Sequence, residues 1–152
     1  MKLNGEVIVN APIEMVWNLF KDPKQLCWVI PGCEQAQQLD ETHYEAVLSV
    51  KVQFMTIRSN ARGTLLQAQP PQHLVVELMG EPMAMAGAFR ARVSIDLTAI
   101  ASDATNVKYE MDLTMLGRLA SLGEAIVRST SRQLTAQFAN DVSQLFNHPY
   151  EP

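Results

Sequence analysis

The stretch from Arg118 to Asn147 constrains this chain more than any other. It holds no proline, and from Ile126 its apolar positions step by four through Thr130, Leu134, Phe138 and Val142, followed by Leu145 and Phe146. Residues three and four apart share one helix face, so the spacing predicts a single amphipathic helix of about eight turns. Glu124, Arg128, Ser131, Arg132 and Thr135 fall on the opposite, solvated face, and Asn147-His148-Pro149 marks the end. A strict step of four rotates the stripe by about 40° each time, because 3.6 residues make a turn. That winding suits a helix seated in a strongly curved partner. The first half of the stripe is small or short (Leu119, Ala120, Gly123, Ala125, Thr130) and the second half is bulky. Small residues on a buried stripe either admit a close neighbour or leave a space.

The curved partner is spelled out in the middle of the chain, where the period changes from 3.6 to 2. Tyr44, Ala46, Leu48, Val50 and Val52 alternate with His43, Glu45, Ser49 and Lys51; Met55, Ile57, Ala61 and Leu65 alternate with Thr56, Arg58, Asn60, Arg62 and Thr64. Leu74, Val76 and Leu78 make a further apolar face. Phe89, Ala91, Val93, Ile95 and Leu97 alternate with Arg90, Arg92, Ser94 and Asp96, and Val107, Tyr109, Met111, Leu113 and Met115 with Lys108, Glu110, Asp112 and Thr114. Such alternation gives each strand one dry and one wet face, as in an antiparallel sheet solvated on one side. Strands of eight to twelve residues are expected.

Ahead of these, Leu3 to Val9 reads as a first strand. Asn10-Ala11-Pro12-Ile13-Glu14 then opens a helix with proline in its first turn and Ile13, Val16, Trp17 and Phe20 on one face. Asp22-Pro23 starts a second short helix carrying Leu26, Trp28 and Val29, closed by Pro31-Gly32. The order is strand, two short helices, a run of about six strands, one long helix: an α+β domain. Only the long helix is expected to cover the dry concave face, and its small half would leave part of that concavity unfilled.

The 152 residues fit one domain, and a net charge of -4 without any basic cluster argues against nucleic acid as a partner. No run of eighteen apolar residues is present, so no membrane-spanning helix is expected. The first residues carry no signal-peptide core, which makes a cytoplasmic location the expectation. Cys27 and Cys33 stand six apart without a CxxC pattern and are read as two separate thiols, a disulfide being unexpected in a reducing compartment.

Catalytic constellations are scarce. His43, His73 and His148 read as surface histidines, none set by a local motif beside Ser, Cys or a carboxylate. There is no GxSxG, HExxH, Walker loop or GxGxxG. No metal site and no cofactor is expected. Tyr44 and Tyr109 sit on dry faces and each hydroxyl needs a partner, either a ligand or a core group. The chain has eight methionines. Met55, Met111 and Met115 lie on dry faces and Met79, Met83 and Met85 in or beside the segment Gly80–Gly87, filling core or lining a pocket with adaptable thioethers. That segment is too apolar for an ordinary exposed turn and reads as a cavity mouth or a contact surface.

Several local motifs carry a resemblance. Ala11-Pro12 with Val16-Trp17, Asp22-Pro23, Ile30-Pro31-Gly32-Cys33, Gln69-Pro70-Pro71, Gly80 and Gly87, and Leu116 to Gly123 together resemble the carbon monoxide dehydrogenase G-subunit family of the START-like (SRPBCC) superfamily. The match runs from Met1 to about Phe146. The resemblance implies a helix-grip fold: a curved antiparallel sheet of about six to seven strands wrapped around a long C-terminal helix, with two short helices after the first strand. It also implies a non-enzymatic accessory role beside molybdenum hydroxylases of the carbon monoxide dehydrogenase or aldehyde oxidase type. A hydrophobic lipid or quinone-like ligand and peripheral membrane contact on the inner face go with that role. Some relatives continue into a tail able to reach a membrane, whereas this chain stops about six residues past the helix, so tail-mediated anchoring is not expected. A homodimer stays open as the oligomeric state.

The apolar ligand is therefore expected among Trp17, Trp28, Tyr44, Met55, Ile57, Val76, Leu78, Met85, Phe89, Ala91, Tyr109, Met111, Leu113, Leu122, Ile126 and Thr130. Two rival readings stand beside this one. The first is an assembly protein with a fully packed core. The second is a START-like enzyme, for which the interior offers only Tyr44, Tyr109 and Arg58 or Arg62.

Overall fold

A computed structural model describes residues 1–147. The chain runs β1 (Lys2–Val9), α1 (Ile13–Lys21), α2 (Pro23–Val29), β2 (Cys33–Gln38), β3 (His43–Val52), β4 (Met55–Gln69), β5 (His73–Pro82), β6 (Gly87–Ala101), β7 (Ala104–Gly117), a 3₁₀ turn (Arg118–Leu122) and α3 (Glu124–Asn147). All seven strands form one antiparallel sheet in the order β1-β7-β6-β5-β4-β3-β2. Strand pairing follows the chain from β2 to β7, and β1 closes the far edge against β7. The strands are longer than the turn signals suggest: β4 and β6 have fifteen residues each and β7 fourteen.

The register puts the alternating apolar residues on one face. Tyr44, Ala46, Leu48 and Val50 lie opposite Gly63, Ala61, Ser59 and Ile57, and Val76 and Leu78 opposite Val93 and Ala91. Met111 and Leu113 stand opposite Val93 and Ala91 from the other side. This is the concave face. The charged set lies on the convex face, where Arg92 is set opposite Asp112 and Asp96 opposite Lys108.

One end of the concavity is sealed. Val7, Val9, Leu74, Leu97 and Val107 of the sheet pack with Val16, Trp17 and Leu19 of α1, Val29 of α2 and Val142 of α3, all buried. Phe138 and Phe146 back this cluster, and Phe138 packs its ring 6.3 Å from that of Phe20. Thr105, fully buried, donates its hydroxyl to the Ala11 carbonyl at 2.9 Å and ties β7 to the start of α1. The long helix thus shares the cover with α1 and α2, because the i, i+3, i+4 face of α1 supplies side chains as bulky as its own.

Two expectations are corrected here. The predicted eight-turn helix is interrupted at Gly123, whose φ of +85° lies in the left-handed region that suits glycine. Leu119 therefore sits in the 3₁₀ turn, buried, and the regular helix starts at Glu124. Cys27 and Cys33, expected as separate thiols, form a disulfide joining α2 to β2. The turn at Pro31-Gly32 folds the chain back on itself, which sequence spacing alone does not reveal. Gly32 holds φ +83°, and the Ser49 N–H donates to its carbonyl at 2.7 Å.

Candidate functional site

The open end of the concavity lies where β3, β5 and β7 finish and β4, β6 and α3 begin. Seven of the expected residues form its sheet wall: Ile57, Val76, Leu78, Phe89, Met111 and Leu113 are half-buried although they face the helix side, and Ala91 among them is buried. Two rings lie across glycines on this wall. A Cβ on Gly80 would fall 2.2 Å from the Phe89 ring, and one on Gly5 would fall 2.6 Å from that of Tyr109. The Tyr109 hydroxyl shares a hydrogen bond with the Thr135 hydroxyl, which also donates to the Ser131 carbonyl at 2.9 Å. Thr135, assigned to the solvated face in the sequence, thus faces β7 and pins the helix to the sheet.

On the helix side, Ile126 and Thr130 are half-buried and line a cavity of about 630 Å³ between α3 and the end of β3. Ala125 and Leu134 continue its helix wall. Pro31, Gly32 and Val50 supply the facing side, where β3 runs past the end of β2 and has no strand neighbour on that edge. Its rim is polar: Ser49, Lys51, Gln53, Ser129, Gln133 and Gln137. Most of these residues escape the sequence reading, which assigns no role to the uncharged stripe Ser129, Gln133, Gln137. Its signal is that it runs parallel to the apolar stripe, one position behind Thr130, Leu134 and Phe138.

The remaining expected residues are dispersed. Trp17 belongs to the sealed core. Trp28 points outward from α2 and is 70% exposed. At about 100° per residue, Leu26 and Val29 share the inner face of that short helix and Trp28 does not. Met55 is 40% exposed at the tip of the β3–β4 hairpin, beside the fully exposed Phe54. Met85 is half-buried in the loop between β5 and β6, which is shorter than expected because Gly80 to Pro82 belong to β5. Leu122 is half-buried in the 3₁₀ turn. Tyr44 is half-buried, and its hydroxyl donates to the Glu41 carbonyl at 3.4 Å; burial and then the nearby Asp40 charge raise its pKa.

The arginines considered for the interior lie outside the concavity. Arg58 and Arg62, candidates for the interior, are both exposed, and Arg58 donates to Glu34 at 2.6 Å. Two histidines have the carboxylate partners that no local motif announced. His43 Nδ1 lies 2.9 Å from Asp40, which also accepts from the Thr42 and His43 backbone N–H groups, so the turn holds Asp40 below its usual carboxylate range. His73 lies opposite Asp96 in the register, at 2.7 Å. The Thr42 hydroxyl lies 3.1 Å from the same His43 Nδ1 and 3.4 Å from Asp40, all on an exposed turn. His148 lies outside the described residues. A second, shallower concavity of about 510 Å³ by the β2–β3 hairpin is lined by Leu39, Met79 and charged groups including Arg62 and Glu77. Among the described residues no cluster of three His, Cys, Asp or Glu side chains is placed to hold a metal, and no helix is long and apolar enough to cross a membrane.

An antiparallel sheet curved around a C-terminal helix, sealed at one end and open at the other, defines a helix-grip protein of the START-like class. Solved structures carry the same arrangement. A conserved protein from Geobacillus kaustophilus superposes with a TM-score of 0.87 at 24% identity, covering 97% of this chain and 96% of its own. A START superfamily protein from Mycobacterium smegmatis gives 0.76 at 10% identity over 97% of each chain. The Zhui aromatase/cyclase from Streptomyces sp. R1128 gives 0.70 at 13% identity, covering 97% of this chain and 94% of its own. No match is found among curated proteins. The chain belongs to the CoxG family, that of the carbon monoxide dehydrogenase G subunit, whose model matches residues 5–147.

Proposed function

We propose that this protein is a non-enzymatic accessory protein that holds a hydrophobic small molecule, lipid or quinone-like, in the open half of its concavity. The observation that carries the reading is the contrast between the two ends of one apolar face. At the sealed end Leu74, Leu97 and Val107 are buried by α1 and α3, while at the open end Ile57, Val76, Leu78, Met111 and Leu113 keep solvent contact. Apolar side chains facing inward yet left wet gain about 25 cal/mol for each Å² that a ligand covers. The adjoining cavity of about 630 Å³ is within the size range of small-molecule sites, roughly 300–1,000 Å³. That volume also weighs against the fully packed assembly protein.

The accessory half of the reading rests on the family, whose description names a component of carbon monoxide dehydrogenase. A molybdenum hydroxylase of the carbon monoxide dehydrogenase or aldehyde oxidase type is the partner it favours, met with peripheral membrane contact. Antiparallel connectivity gathers the exposed Phe54, Met55, Met83 and Leu116 at the open end of the sheet, a surface suited to docking there. Organic extraction of the purified protein followed by mass spectrometry tests the ligand half. A stoichiometric lipid or quinone is expected. An empty extract, repeated after incubation with quinones and fatty acids, would refute it.

A further inference from the structure

The groove between α3 and β3 differs in chemistry from the wall behind it. Its floor is apolar, with Val50, Ile126 and Leu134, and Val50 lies directly opposite Ile57 on β4, so the floor continues onto the concave wall without a step. Its rim carries neutral hydrogen-bonding groups, among them Gln133 and Gln137, and a single charged residue, Lys51. Among the described residues no carboxylate lies within 4 Å of the Lys51 ammonium. On α3, Glu124 is engaged by Arg128 at 2.7 Å. An exposed lysine on the rim of an apolar groove, its ammonium without a carboxylate partner, suits a ligand with an apolar tail and a polar end that accepts hydrogen bonds. A cationic head would meet Lys51 with like charge, and a neutral donor-only head would offer the ammonium no acceptor.

Resting on the ligand-holding reading above, we infer that this groove binds the head of a single-chain amphiphile whose polar end is an oxygen acceptor, a carboxylate or a quinone-type carbonyl. Lys51 is its charged donor, and the tail runs over Val50 and Ile57 onto the concave wall. The groove thereby selects by head group, while the wall accepts tails with little discrimination.

The test uses the full chain and three probes below their micellar concentrations: palmitate, hexadecylamine and a decyl-substituted benzoquinone, each displacing a polarity-sensitive fluorophore at neutral pH. Palmitate and hexadecylamine share a chain length and differ only in the head. Palmitate or the benzoquinone is expected to bind at least tenfold tighter than the amine, and the preferred one of the two identifies the head. Lys51→Met keeps an apolar stem at an exposed position; it should weaken the preferred acceptor at least fivefold and leave the amine no weaker. Equal binding of all three heads, or an unchanged acceptor affinity in Lys51→Met, would overturn the head-group assignment while leaving the apolar-ligand reading intact. Failure of all three probes to bind would overturn both.

Discussion

Deleting side-chain volume from the two halves of α3 should have consequences opposite to those that the number of carbons removed suggests. Val142 is 1% exposed within the sealed cluster, whereas Ile126 is half-buried beside the groove. Val142→Ala removes two methyl groups at about 0.8 kcal/mol each and leaves a hole among rigid neighbours, giving a loss of about 2–3 kcal/mol. Ile126→Ala removes more carbon, and in a closed core would cost about 2–5 kcal/mol. At the groove part of that surface is already wet and no new enclosed cavity forms, so the expected loss is about 1 kcal/mol or less. The smaller deletion is thus the costlier one. Urea unfolding followed by circular dichroism, with equal slopes for the two variants, measures both. If Ile126→Ala cost as much as Val142→Ala, the first half of α3 would be packed core and the space assigned to a ligand would not exist.

Three further outcomes follow from local geometry. Cys27→Ser opens a loop of only six residues' separation and should lower stability by about 2 kcal/mol in non-reducing buffer, on the chain-entropy account, and change nothing once a reductant is present; equal unfolding midpoints in non-reducing buffer would contradict the bridge. Gly32→Ala places a Cβ 2.1 Å from the Ser49 carbonyl oxygen at φ +83° and should cost about 2 kcal/mol or more in the same assay, since the obstacle is backbone; a neutral substitution would refute the close approach. Asp40 has its pKa lowered, chiefly by the Thr42 N–H and then by His43, so its contribution is present at neutral pH and lost as pH falls through that depressed value. A carboxyl NMR titration should therefore place its midpoint below the ordinary 3.8, and a midpoint at or above that value would contradict the turn geometry.

Much of the architecture is legible because it rests on periodicity. Val93, Ile95 and Leu97 alternate with Arg92, Ser94 and Asp96 as an antiparallel strand with one dry face must, and the step of four from Ile126 to Val142 is the stripe that α3 turns inward. The change from small to bulky along that stripe matches the open and sealed ends of the concavity. What periodicity does not carry is where the chain bends back on itself. Gly123 looks like one more small residue until its left-handed backbone breaks the helix, and the Cys27–Cys33 bridge depends on the fold of Pro31-Gly32. The pairing of His73 with Asp96 depends on a strand register that neither segment encodes alone. Trp28 points away from the concavity, against expectation, because Leu26 and Val29 take the inner face of the seven-residue α2.

The groove is hidden for a different reason. Ser129, Gln133 and Gln137 are polar, and polar stripes are ordinarily solvent-facing; their role depends on β3 outrunning β2 and leaving a gap beside the helix. The concave wall, by contrast, is legible residue by residue from alternation, with Ile57, Val76, Leu78, Met111 and Leu113 all on the expected side.

The central claim is that this wet half of the apolar face is where the ligand lies. The most direct measurement is methyl NMR of the isotopically labelled protein during titration with the amphiphile that binds it best. Saturable shifts of Ile57, Leu78, Met111, Leu113 and Ile126, with Val9, Leu97 and Val142 unmoved, are the predicted result. Shifts confined to exposed methyls such as Ile8 and Ile100, or spread evenly through the sealed core, would contradict it.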